Sequence, residues 1–189
     1  MIFPDDYEVF SFSMGYDPTE VHRFIESGKC AVGGYLERRS NMYLAPQYQN
    51  KRNIHMGIDF WAPAGEPVYA AFHGEVAYTR NNSEEGNYGP TVVLKQTAGN
   101  KLIYALYGHL SEESLEHVKP GQLVEPGAVV GWLGTPEENG NWPPHLHYQL
   151  SYDDPGEADM PGVVSPEEAE NAIEVYPDPR QFIGNIYRD

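Results

Sequence analysis

The stretch Gly57–Thr79, "GIDFWAPAGEPVYAAFHGEVAYT", decides the fold. Three short apolar runs, GIDFWA, PVYAAF and GEVAYT, are separated by Pro63, Gly65, Pro67 and Gly74. Runs this short, bounded by turn residues, read as strands rather than helices. The same texture continues to Tyr152 through TVVLKQ, KLIYALYGHL, AVVGWLG and HLHYQLSY. Between them lie NNSEEGNYGP, TAGN, KPGQLVEPG and PEENGNWPP, all rich in turn formers. Many short strands at close spacing predict a mostly β fold, a compact antiparallel sandwich or barrel.

Working outward, YDPTEVHRFIESGK predicts a short helix. Asp17 is its N-cap, Pro18 its first residue, Glu20 the partner in a capping box and Gly28 its stop. Val21, Phe24 and Ile25 form the buried face. Residues 29 to 54 read as mostly irregular, with a short strand inside GGYLERRSNMY. SEESLEH reads as one helical turn capped by Ser111. Beyond Asp153 two short helices are expected, starting at SPEEAENA and DPRQFIG. No linker is evident. The expectation is one domain: an N-terminal extension over residues 1–51, the β domain over 52–152, and a C-terminal extension over 153–189 that packs on it.

The chain has 189 residues, enough to bury a core without staples. Its formal net charge is −16, from 28 acidic and 12 basic side chains. Such a surface repels nucleic acid and anionic membranes, so neither is an expected partner, while a protein partner stays open. Cys30 is the lone cysteine, which fits a reducing compartment. MIFPDDYEVFSFSMGY has no basic region followed by an apolar core, and no apolar run approaches the ~18 residues of a membrane span. These features lead to an expectation of a cytoplasmic protein.

Three short motifs hold four of the seven histidines. They are HMGID (His55–Asp59), YGHL (Tyr107–Leu110) and HLH (His145–His147). Each alone is ordinary. In HLH, positions i and i+2 share one face of a strand, roughly 6.6 Å apart, with Leu146 turned to the core. That spacing suits one imidazole on a metal and the other facing whatever the metal binds. Catalytic zinc takes three protein ligands from His nitrogen and carboxylate oxygen and leaves a fourth position for water. His55, Asp59 and His147 would supply that set. In a straight strand His55 and Asp59 would be roughly 13 Å apart. The backbone must therefore curl between them, and Gly57 sits at the midpoint with the needed freedom. His109 ends an apolar strand, where it would serve as general base or oxyanion donor. Gly108 would admit a substrate backbone.

The other singled-out residues have plainer readings. His73 is a turn residue, and His22 and His117 are exposed helix positions. Cys30 has no base nearby in sequence. Tyr88 is a turn aromatic or lines a groove. Arg52 is a solvated arginine or binds a carboxylate there.

Taken in order, HMGID, YGHL and HLH resemble the lysostaphin/LytM-type zinc endopeptidases. HMGIDFWAPAGEPVYAAFHGEVAY is similar to that family's opening hairpins, and VKPGQLVEPGAVVGWLG to its later turn. The resemblance covers roughly residues 52 to 150. It implies the duplicated hybrid motif fold with a groove floored by Zn2+. It also implies roles: His55, Asp59 and His147 as metal ligands, His109 and His145 as the catalytic pair. The implied activity is hydrolysis of a peptide bond in a small or peptidoglycan-type peptide. ALYGHL and PEENGNWPPHLHYQL further resemble domains fused to aminotransferase-like proteins. A zinc-containing binding or regulatory module without turnover is the alternative.

Overall fold

A computed structural model of the protein describes residues 6–48 and 51–187. The first five positions of the stretch read for a leader, and residues 49–50 and 188–189 of the two expected extensions, lie outside the described residues. The elements run β1 (Glu8–Val9), α1 (Pro18–Glu26), β2 (Ala31–Gly33), β3 (Ile54–His55), β4 (Ile58–Trp61), β5 (Pro67–Tyr69), β6 (Gly74–Asn82), β7 (Gly89–Ala98) and β8 (Lys101–Gly108). They continue with α2 (Glu112–His117), β9 (Leu123–Val124), β10 (Val129–Trp132), β11 (His145–Ser151), β12 (Val163–Val164), α3 (Ala169–Val175) and α4 (Arg180–Ile183).

The architecture is mostly β, as the spacing of runs and turns predicts. One eight-stranded sheet has the order β1-β2-β4-β11-β8-β7-β6-β9. Its pairings are antiparallel except β1 with β2. Two small antiparallel pairs, β5 with β10 and β3 with β12, complete the strands.

Strand β11 lies between β4 and β8, and its register places the chemistry. His147 sits opposite Asp59 of β4 on one side and Gly108 of β8 on the other, while His145 faces Trp61. Alternation sends Leu146, Tyr148 and Leu150 into the main core with Ile58, Phe60 and Tyr107. Leu146 is buried as expected, which contributes about 2 kcal/mol. His145, His147 and Gln149 are left on the opposite face with Asp59 and Trp61.

Helix α1 forms where expected. The Asp17 carboxylate accepts from Thr19 N at 2.8 Å, and Val21 and Ile25 are buried. At α2 the expectation holds for position but not for the cap. The Ser111 hydroxyl meets Ser114 Oγ instead, and Glu138 Oε1 accepts from Glu112 N. In the tail, Ser165–Glu168 forms a reciprocally bonded turn and the helix begins only at Ala169. The strand expected inside GGYLERRSNMY lies earlier, at Ala31–Gly33, because β4 needs a neighbour on the edge away from β11.

Candidate metal centre and active site

Strands β3 and β4 are separated by a bend at Met56–Gly57, which brings His55 back over Asp59. His55 Nε2 lies 3.2 Å from Asp59 Oδ1, so the curl between them exists. The reason for the glycine differs from the expectation. Gly57 is outside the positive-φ region. A Cβ there would stand 2.6 Å from His147 Cε1 and 2.8 Å from Tyr148 O. Gly57 supplies space for the third histidine rather than unusual dihedrals.

His147 Nδ1 is 3.0 Å from His55 Nε2 and 3.1 Å from Asp59 Oδ1. Three atoms thus form a nearly equilateral triangle, and all three residues are buried. Their protons are already committed elsewhere. His55 Nδ1–H donates to Gly34 O at 2.9 Å. His147 Nε2–H donates to Gln149 Oε1 at 2.9 Å, and the Gln149 amide nitrogen donates to Pro161 O. The triangle therefore consists of three acceptors with no donor among them. Buried acceptors packed this closely call for a cation. Tetrahedral zinc with ligand distances of 2.0–2.1 Å spaces its ligands about 3.3 Å apart, close to the triangle's edges. The residues fit a zinc ion of the two-His, one-carboxylate kind.

The second oxygen of Asp59 is occupied too. Arg39 Nη1 donates to Oδ2 at 2.5 Å from a fully buried side chain. Burial alone would raise the Asp59 pKa. The neighbouring His55 and the Arg39 guanidinium overcome it and hold the carboxyl well below its usual range. Burial, with Arg39 next, lowers His55 to about 4.

His109 and His145 stand beside the triangle. Their rings are 4.1 Å apart between centroids. His109 Nδ1–H donates to Asn139 O at 3.0 Å and His145 Nδ1–H to Pro143 O at 2.7 Å. Both Nε2 atoms are thereby left as lone-pair acceptors. Burial lowers both pKa values, and the neighbouring histidines add to the effect on His109. Trp61 stacks on His145 at 5.8 Å. His109 has φ 63°, uncommon for a non-glycine residue. Backbone bonds from His109 N to Tyr88 O and from Gly134 N to His109 O hold it there.

All five expected site residues converge in one cleft of about 430 Å³. Met42, Tyr43, Tyr48 and Trp142 also line it, as do Glu157 and Asp159–Val163 from the tail. Tyr88 lies there as well, 5.1 Å from the His147 ring, with its hydroxyl donating to Met160 O. Arg52 is exposed and lines the cleft. The space above Gly108 is filled by the Tyr88 ring, 2.8 Å from where a Cβ would be, so this glycine admits a side chain and not a substrate backbone. His22, His73 and His117 are outside the cleft lining. Sequence reasoning missed Arg39 and Gln149. Gln149 had a signal, since it continues the i, i+2 face of HLH; Arg39 had none.

No described helix is long and apolar enough to cross a membrane. The chain is 42% identical over 97 residues to the peptidoglycan DD-endopeptidase ShyA of Vibrio cholerae, covering 51% of this chain and 20% of that protein. It is 34% identical over 107 residues to the L-Ala--D-Glu endopeptidase of Bacillus subtilis, covering 54% and 31%. The chain thus spans a fifth to a third of the length of these relatives. A solved catalytic domain of a mutant prophage-encoded M23 protein, EnpA of Enterococcus faecalis, aligns at 28% identity with TM-score 0.45, over 61% of this chain and 78% of that one. The model described as Peptidase family M23 matches residues 53–159, more than half of the chain, and the chain belongs to that family.

Proposed function

We propose that this protein is a zinc-dependent metallopeptidase that hydrolyses a peptide bond in a small or peptidoglycan-type peptide. The observation that carries this reading is the buried triangle of acceptors beside two histidines whose Nδ1 atoms face backbone carbonyls. His55 Nε2, Asp59 Oδ1 and His147 Nδ1 would hold the ion. When bound, zinc supplies Lewis acidity and a nucleophile generated from water near neutral pH.

The chain's own residues do the rest. His109 and His145 hold their Nε2 lone pairs toward the cleft because backbone carbonyls have taken the Nδ1 protons. Either Nε2 accepts the proton that the attacking water gives up, and returns it to the leaving amine. Until then, the one imidazole that carries this proton donates to the oxyanion that develops on the scissile carbonyl. Trp61 keeps the His145 ring flat, and Asn139 O fixes the plane of His109. The walls formed by residues 42–48 and 157–163 favour short peptides over a polymer strand. Residues 52–152 would carry the chemistry, with the flanking segments built onto that domain.

The test is His109→Ala on zinc-loaded protein, with cleavage of muropeptides followed by chromatography and mass spectrometry. The variant is expected to keep zinc and lose 10²- to 10⁴-fold in rate. Cleavage at the wild-type rate with zinc still bound would overturn the mechanism. Stoichiometric zinc with no cleavage by the wild type would favour the non-turnover module.

A further inference from the structure

We propose that Arg39 is a positioning residue for the metal centre: it holds one oxygen of Asp59 so that the other alone faces His55 and His147. The inference rests on the zinc reading above. Arg39 and Glu37 lie outside the matched span of 53–159.

The Arg39 side chain is fully buried. Nε donates to Glu37 Oε2 at 2.8 Å, and Nη1 donates to Asp59 Oδ2 at 2.5 Å and to Tyr43 Oη at 3.1 Å. The guanidinium carbon lies 5.4 Å from the Phe12 ring centre and 5.8 Å from that of Trp61. Its position is braced from behind. Glu37 Oε1 accepts from Ser11 Oγ at 2.6 Å and from Phe12 N at 2.7 Å. A rigid line of charge-assisted bonds therefore runs from the backbone of residue 12 to the carboxylate.

A carboxylate with two free oxygens can rotate or present both to a cation. A bond of this kind on Oδ2 removes that freedom and leaves Oδ1 at the triangle. The buried arginine is a poor device for stability alone, since apolar replacements of buried ion pairs are often neutral or better. Space has been made for it nevertheless. A Cβ on Gly34 would stand 2.0 Å from Arg39 Nη2. The carbonyl of the same Gly34 accepts the His55 Nδ1 proton. The turn of residues 34–39 thus orients two of the three candidate ligands, His55 through a carbonyl and Asp59 through a guanidinium.

The experiment measures zinc affinity of the full chain by competition with a chromophoric chelator. Circular dichroism confirms folding of each metal-free variant. Arg39→Met is expected to weaken zinc binding 10- to 100-fold, the scale of losses at residues that orient metal ligands. Arg39→Lys keeps the charge without the fork and falls between the two. Glu37→Gln keeps the contact but loosens its brace, giving a smaller loss in the same direction. A folded Arg39→Met variant that binds zinc as tightly as wild type, or more tightly, would overturn the proposal. Should that variant not fold, unchanged affinity in Glu37→Gln overturns it instead. Failure of the wild type to take up zinc would remove the metal reading itself, and this inference with it.

Discussion

Replacing Gly57 by Ala adds one methyl group at the most crowded point of the site. The new Cβ would lie 2.6 Å from His147 Cε1, 2.7 Å from His147 Nε2 and 2.8 Å from Tyr148 O. Ordinary contacts begin near 3.4 Å, so at least one partner must retreat by several tenths of an ångström. Neither can do so cheaply. The His147 ring is bonded through Nε2 to Gln149, and its Nδ1 edge already lies 3.1 Å from Asp59 Oδ1. Tyr148 O belongs to a strand paired on both sides. Overpacking of this kind costs about 1–3 kcal/mol. For a chain of this length that lowers Tm by roughly 3–10 °C. A displaced His147 also opens the triangle, so zinc affinity falls about 10- to 100-fold. Thermal melts in chelator read the first effect, and chelator competition reads the second. If the variant melts within about 1 °C of wild type and binds zinc equally well, glycine is not required for close approach and the argument from space is wrong.

The metal-free protein loses stability in acid. Since His55 has its pKa lowered to about 4 in the fold, the unfolded chain takes up its proton first; the contribution is full above about pH 6.5 and is lost as pH falls toward 4. From His55 alone, the chain is about 2 kcal/mol less stable at pH 5 than at pH 7.5, and His109 and His145 act in the same direction. Urea titrations at the two pH values check this, and equal midpoints would contradict it. Gln149→Leu leaves the His147 Nε2 proton without an acceptor, and zinc affinity is expected to fall 10- to 100-fold while the fold persists. Leu146→Ala cuts a buried side chain from the core behind the two histidines. It should cost about 2–5 kcal/mol in chemical unfolding, and a loss below 1 kcal/mol would show that the strand is not anchored there.

Much of the fold was legible because its signals are local. Short apolar runs and turn residues mark strands within a few positions of one another, and alternation in HLHYQL sets which side chains share a face. The five candidate residues were legible for the same reason, helped by the likeness of three ordered motifs to a known family. The exceptions are instructive. Ser111 marks the start of α2 by type, but Glu138, 26 residues away, bonds the amide at that helix start. Gly57 was read from its own dihedral freedom, whereas its reason lies in a ring contributed by β11.

The sequence by itself determined that short strands would build the domain and that His145 and His147 would stand together on one of them. Only the tertiary structure decided what surrounds them. Arg39 meets Asp59 across 20 positions and His55 meets His147 across 92. Such pairings depend on the register of β2, β4 and β11 and on the path of the turn between residues 34 and 39. No periodicity within a strand encodes them, because a strand's pattern specifies which face is buried but not which distant residue will lie opposite.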